Sequence, residues 1–271
     1  MLELFQITND TAFAQRCDDL GGFRLFVDLE RMGKAERQAG RNTFISVHTL
    51  DDVGRIKSVL RRSPLMVRVN PLHAGTREEV DAVIGEGADK LMLPMFRTSD
   101  DVRAFVEIVD GRLPVVVLLE TADALHSIDT WIGTAGLDEV FVGLNDLHLS
   151  LGCRFMFEPL ARGDVDRVAA SAKSHGRRFG FGGIARMDEG HLPGSDVLAE
   201  HVRLGSGAVI LSRTFHRPGE GGSFEDEVTK LRDVEARLAL RTPQQIEADR
   251  MRVAAVIDGI AAGISSSGAT R

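Results

Sequence analysis

Between residue 23 and about residue 211 the chain alternates short, nearly continuous apolar runs with longer stretches whose apolar residues recur every three or four positions. The short runs are 23–28, 43–47, 65–69, 90–93, 115–119, 139–142, 178–182 and 207–211. Runs of this kind read as strands buried on both faces, and strands separated by amphipathic helices build a parallel sheet. Eight such units predict a (β/α)8 TIM barrel, a fold that takes about 250 residues. A doubly wound open sheet is the runner-up.

Three of the helical stretches carry start signals. Thr49-x-x-Asp52, Thr76-x-x-Glu79 and Thr98-x-x-Asp101 each precede an apolar stripe at helical spacing. All three resemble capping boxes, in which the first side chain and the fourth satisfy each other's backbone amides; Glu79 fits the pattern better than the two aspartates.

Two regions fall outside the repeat. Residues 147–163 make a long excursion after the sixth run and contain Phe155-Met156-Phe157, which reads as a lid, an oligomer contact or an internal packing loop. The barrel is expected to span 1–217. Residues 218–271 form a helical extension, packed on the barrel or on a neighbouring subunit, and end in a disordered tail over 265–271.

Composition narrows the function. The formal net charge of −7 excludes a phosphate-backbone or anionic-membrane partner, which needs a dense basic face. Two cysteines, Cys17 and Cys153, make neither a disulfide framework nor a thiolate zinc site, so a reducing cytoplasm is the expected compartment. Neither a signal peptide nor a membrane span is visible.

Barrel chemistry sits at the C-terminal ends of the strands. Those positions hold Asp28 and Glu30, His48, Arg68 and Asn70, Glu120, Asn145 and Asp146, Gly182 and Gly183, and Ser212 and Arg213. Glu120 and Asp146, from the fifth and sixth runs, suit a hard divalent cation such as Mg2+ or Mn2+, which leaves sites open for substrate oxygens. An α-keto acid completes such a shell, and the fork-shaped Arg68 suits the other end of that anion. A barrel-mouth salt bridge for Glu120, a helix N-cap for Asp146 and an ion pair with Glu30 or Glu120 for Arg68 are the competing readings. His48 reads as a proton shuttle or as a hydrogen-bonded structural histidine. The Gly182-Gly183 pair reads as an anion-approach site or a tight turn.

With these residues in order, the chain resembles the family of HpcH/HpaI-type 2-oxoacid aldolases and citrate lyase β-subunit-like enzymes. The resemblance runs through Val27-Asp28-Leu29-Glu30, Val67-Arg68-Val69-Asn70, the stretch 87–95, Leu119-Glu120-Thr121 and Val142-Gly143-Leu144-Asn145-Asp146-Leu147. It implies a barrel enzyme, a class II aldolase type of carbon–carbon lyase, with Mg2+ or Mn2+ on Glu120 and Asp146. It further implies Arg68 on the substrate and its pyruvate-like enolate, and the backbone of Gly143, Leu144 and Asn145 on a substrate carboxylate. A homo-oligomer is expected, with Phe155 to Phe157 and the C-terminal helices as interface candidates. Where aldolases of this family place a histidine after Asp-x-Glu, this chain has Arg31, which leaves His48 or metal-bound water to pass the proton, with Glu30 as a further catalytic candidate. An acyl-CoA lyase and a catalytically idle metabolite-binding barrel are the alternatives.

Overall fold

The computed structural model describes residues 1–34, 46–216 and 222–268. Its eight strands close in chain order into a parallel barrel: β1 Glu3–Ile7, β2 Phe23–Asp28, β3 Leu65–Arg68, β4 Lys90–Leu93, β5 Val115–Leu119, β6 Leu137–Val142, β7 Arg178–Ile184 and β8 Ala208–Leu211. Helices α1 Thr11–Leu20, α2 Leu50–Val59, α3 Thr76–Gly85, α4 Ser99–Val109, α5 Ala122–His126 and α6 Ile128–Trp131 come before β6. After it come α7 Leu144–Ser150, α8 Glu158–Ala161, α9 Asp164–Ser174, α10 Gly194–Leu204, α11 Phe224–Leu238 and α12 Pro243–Gly268.

The predicted architecture is present, but its eight strands are a different eight. Glu3–Ile7 is β1; it pairs with β2 from Leu4↔Phe23 to Ile7↔Phe26, and with β8 from Glu3↔Ala208 to Phe5↔Ile210. Of the expected strand over 43–47, residues 43–45 lie outside the described residues, and Ser46 and Val47 are not in a strand. Since β2 pairs directly with β3, no strand stands between them. Burial explains the substitution: Val47 is 70% exposed, whereas Leu4 and Phe5 are fully buried.

Inside the barrel, Phe5, Phe26, Met66, Met92, Val116, Leu118, Phe141 and Ala208 form one packed layer, with Phe5 and Phe141 stacked at 5.1 Å. Below it, the fully buried Arg24 lies between Glu3 and Glu139, its guanidinium 4.3 Å from the Phe5 ring centroid. A filled floor leaves the C-terminal mouth as the place for a ligand.

The capping signals rank differently from expectation. Thr98 and Asp101 make a complete box, with Asp101 N–H on Thr98 Oγ1 at 3.2 Å and Thr98 N–H on Asp101 Oδ2 at 2.9 Å. The Asp52 carboxylate likewise accepts from the Thr49 amide at 2.8 Å. The pattern that looked strongest is not a box: Gly75 caps α3, and Glu79 accepts instead from Asn70 N and Nδ2 at 3.1 and 2.8 Å. A glutamate one turn into the helix is long enough to reach back to the end of β3, and it ties that loop down.

The excursion after α7 folds onto the chain itself. Phe155 and Phe157 are buried in the helix–sheet core, with rings 5.4 Å apart, so they are internal packing and not a free interface. Met156, between them, turns toward the barrel mouth. Helix α12 packs on α8 and α10 and is continuous through Gly268, where a coreless tail was expected; residues 269–271 of that tail lie outside the described residues. Among the described residues no helix is long and apolar enough to cross a membrane.

Candidate active site at the barrel mouth

A cavity of about 520 Å³ opens at the C-terminal ends of the strands. Asp28, His48, Arg68, Glu120, Gly143, Leu144, Asn145 and Asp146 all line it, together with Gly182, Gly183, Ser212 and Arg213. Strand register accounts for the first contact. Asp28 and Arg68 are paired across β2 and β3, so their side chains leave the sheet at one height. Arg68 donates from Nε to Asp28 Oδ1 and from Nη2 to Asp28 Oδ2, both at 2.8 Å.

Glu30 is buried behind this pair and does not line the cavity. It lies 3.4 Å from Arg68 Nε and 3.6 Å from Lys34 Nζ, while Lys34 also bonds Asp28 Oδ2 at 2.5 Å. Burial works against charge at Asp28, but the Arg68 guanidinium and then the Lys34 ammonium outweigh it and hold the carboxyl well below its ordinary range. Arg68 is likewise opposed by burial and held charged by Asp28 above all, then by Glu30 and Glu120. The competing ion-pair reading of Arg68 is therefore realised, with Asp28 as the main partner. Even so, Nη1 has no protein partner among the described residues and is left for a ligand.

Glu120 and Asp146 occupy neighbouring strand ends. Glu120 Oε1 accepts from Met95 N–H at 2.9 Å, an amide aimed by a left-handed Met95 backbone (φ 55°). A non-glycine residue in that region is uncommon and needs its surroundings to hold it there. Glu120 makes no ion pair among the described residues, which removes the salt-bridge reading. Its carboxyl is pushed up to about 8, by burial first and then by the Glu30 and Asp146 charges, against the opposing pull of Arg68. A cation between two such carboxylates would offset both the burial and their mutual repulsion.

Asp146 is the third residue of α7, whose N-cap is Gly143, so it is not the cap. The amides of Leu144, Asn145 and Asp146 make no hydrogen bond among the described residues and stand free at the cavity wall. A Cβ at Gly143 would be crowded, lying 3.0 Å from Glu120 Oε2 and 3.1 Å from Leu118 Cδ1, so those side chains would have to give way. Gly143→Ala is expected to cost about 1–3 kcal/mol through this crowding. It should also weaken Mn2+ binding, as read by melting temperature and calorimetric titration.

Glu120 and Asp146 are the two carboxylates here that could hold a metal; among the described residues no group of three or more metal-ligating side chains converges. That set fits Mg2+ or Mn2+, which take one or two carboxylates and fill the remaining positions with water and substrate oxygens. It is a poor match for zinc, whose protein sites are built mainly on histidine nitrogen and cysteine sulfur.

His48 reaches the cavity from the turn before α2. Its Nδ1 accepts from the Asp28 amide at 3.1 Å, and burial lowers its basicity. The neutral ring therefore carries its hydrogen on Nε2 and is a donor in this arrangement. Arg31, standing where the family histidine was expected, donates to the His48 carbonyl at 2.7 Å and lies outside the cavity. Sequence reasoning missed Lys34, although its spacing of four from Glu30 was a signal. It also missed Gln6, Asn9 and His216, which enter the mouth through β1 and the turn after β8.

A family model described as HpcH/HpaI aldolase/citrate lyase matches residues 3–158, more than half of the chain. No curated protein matches it in sequence. Among solved structures, an HpcH/HpaI aldolase from Desulfitobacterium hafniense DCB-2 is similar at TM-score 0.61 and 15% identity, covering 89% of this chain and 94% of that one. A family protein from Burkholderia cenocepacia J2315 is similar at TM-score 0.63 and 18% identity, covering 87% and 95%. Protein CitE from Mycobacterium tuberculosis, in complex with magnesium and acetate, is similar at TM-score 0.61 and 15% identity, covering 92% and 96%. At these identities the likeness is one of fold.

Proposed function

The chain belongs to the HpcH/HpaI aldolase/citrate lyase family, and from that premise we propose that it is a divalent-metal-dependent carbon–carbon lyase acting on a hydroxy-oxoacid. The observation that carries the proposal is the meeting of Glu120, Asp146 and Arg68 in one cavity. The magnesium complex of the CitE protein, which shares the fold, supports the choice of cation.

Glu120 and Asp146 would hold Mg2+ or Mn2+, which when bound supplies Lewis-acid polarisation of the substrate's ketone. The free amides of Leu144, Asn145 and Asp146 suit the adjacent carboxylate, as donors that need no reorientation. Arg68, fixed by its two bonds to Asp28, directs Nη1 at the oxygen on which negative charge grows. In cleavage the carbon–carbon bond beside the carbinol breaks and the hydroxyl proton passes to solvent water, giving an aldehyde or ketone. The bond's electron pair enters a pyruvate-like enolate, which takes a proton at carbon to give the 2-oxoacid. His48 Nε2–H is a donor for the carbinol oxygen, and Glu30 is a positioning residue for Arg68 and Lys34.

Deuterium exchange at the methyl group of pyruvate, followed by NMR, isolates the enolate half of this chemistry. Exchange is expected with Mg2+ or Mn2+, to vanish with EDTA and to return on re-addition. Exchange that ignores both treatments removes the metal from the mechanism. No exchange and no pyruvate release under any condition leaves an idle binding barrel.

A further inference from the structure

Most of the charged groups of the mouth come from β2, β3, β5 and the end of β6, which leaves the β7–β8–β1 arc to accommodate whatever the oxoacid half does not fill. That arc has an unusual feature on β7. Register slips between Gly180 and Gly183, and Gly182 and Gly183 both line the cavity without a side chain. At Gly182 a side chain is excluded, because φ is 43° and a Cβ would lie 2.7 Å from Leu144 Cδ1. Gly183 is different. A Cβ there would meet only the Ile210 carbonyl, at 3.8 Å, so the position is open space kept empty and not a packing requirement.

Across β8 from this opening stands Gln6, which is 2% exposed and also lines the cavity. Its Nε2 donates to the Ile7 carbonyl at 3.0 Å, which fixes the amide orientation, since exchanging the two atoms would set oxygen against oxygen. Oε1 is then a buried acceptor with no partner among the described residues. Buried acceptors are nearly always satisfied, so an unpartnered one on a residue that lines the cavity calls for a donor from the ligand. Ser212 and Asn9 add neutral polar groups to the same arc, as does His216, whose basicity is lowered by burial first and then by Arg16 and Arg186.

We propose that the β7–β8–β1 arc is the subsite for the carbonyl partner of the reaction, and that it selects an uncharged, hydroxylated chain. Gln6 Oε1 accepts a hydroxyl hydrogen of that chain, and Gly183 leaves the room for it. The inference rests on the lyase reading and adds to it the chemical class of the second substrate half. Arg213 also lines this arc, so preference for an anionic partner is the outcome that opposes the proposal.

The test is condensation of pyruvate with three aldehydes in the presence of Mg2+: glyceraldehyde, its deoxy counterpart propionaldehyde, and succinic semialdehyde. The wild-type protein is expected to favour glyceraldehyde over propionaldehyde by at least about tenfold in kcat/KM, the discrimination of a site built to bond a hydroxyl. Gln6→Leu should bring that ratio close to one. Gly183→Val should lower it by filling the opening, and Gly183→Ala should do so by a smaller amount. Because the readout is a ratio within one protein, partial loss of folded enzyme does not move it. A ratio unmoved by these substitutions, or succinic semialdehyde as the best partner, overturns the subsite. Absence of pyruvate deuterium exchange in the wild type overturns the lyase reading itself, which separates the two failures.

Discussion

Glu120→Gln is expected to reduce turnover by at least about 10³-fold, roughly 4 kcal/mol of transition-state stabilisation, without unfolding the chain. The amide is isosteric, and its oxygen can keep the bond from Met95 N–H. What it cannot do is carry the negative charge that binds a cation. The same substitution gives a second signature in the metal-free protein. The folded-state pKa of Glu120 is about 8, above the ordinary 4.5, so its protonated form is favoured by the fold. Its contribution to stability is therefore full below about pH 4.5 and is lost as pH rises through about 8. Glutamine does not titrate. In EDTA, denaturation midpoints of wild type and variant should converge at low pH and separate toward pH 9, with the variant the more stable. Adding Mg2+ should close the gap from the wild-type side only. Parallel midpoint curves would mean that Glu120 is not the strained acid of this site.

Arg68→Lys is expected to lower kcat/KM by about 10²- to 10³-fold while leaving Mn2+ affinity within a few-fold. Lysine keeps the charge but has one nitrogen. It cannot hold Asp28 through two parallel 2.8 Å bonds and still present a third donor to the cavity. A cost of about 1–3 kcal/mol in stability should accompany this, because Asp28 is buried and would retain Lys34 as its remaining close cation. Steady-state kinetics paired with metal titration checks the claim. If metal affinity collapses with activity, Arg68 supports the cation site; if activity survives, the substrate role fails.

Much of this site is legible in the sequence, and the part that is not has a common cause. Glu120 ends the run Val115–Leu119, and Asp146 follows a strand at a glycine turn, so local pattern alone put both at the mouth. Arg68 was placed the same way. Its partner was not, because the Asp28↔Arg68 pairing depends on how two strands 40 residues apart are aligned. Gln6 escaped because β1 is a five-residue strand at the very start of the chain, with a polar residue among its last two positions. The pattern predicts His48 at the end of a strand over 43–47, whereas among the described residues it stands in the turn before α2, which delivers it to the same cavity.

The sequence by itself determined the barrel and three acids that face its mouth, Asp28, Glu120 and Asp146, because unbroken apolar runs and helix-period stripes are local properties of the chain. Tertiary structure decided which eight runs close the ring, which charges neutralise each other, that Glu120 stays short of a counter-charge, and that β7 leaves a gap at Gly183. Each of these depends on burial and on distances between residues far apart in the chain, and such distances exist only once the sheet has closed.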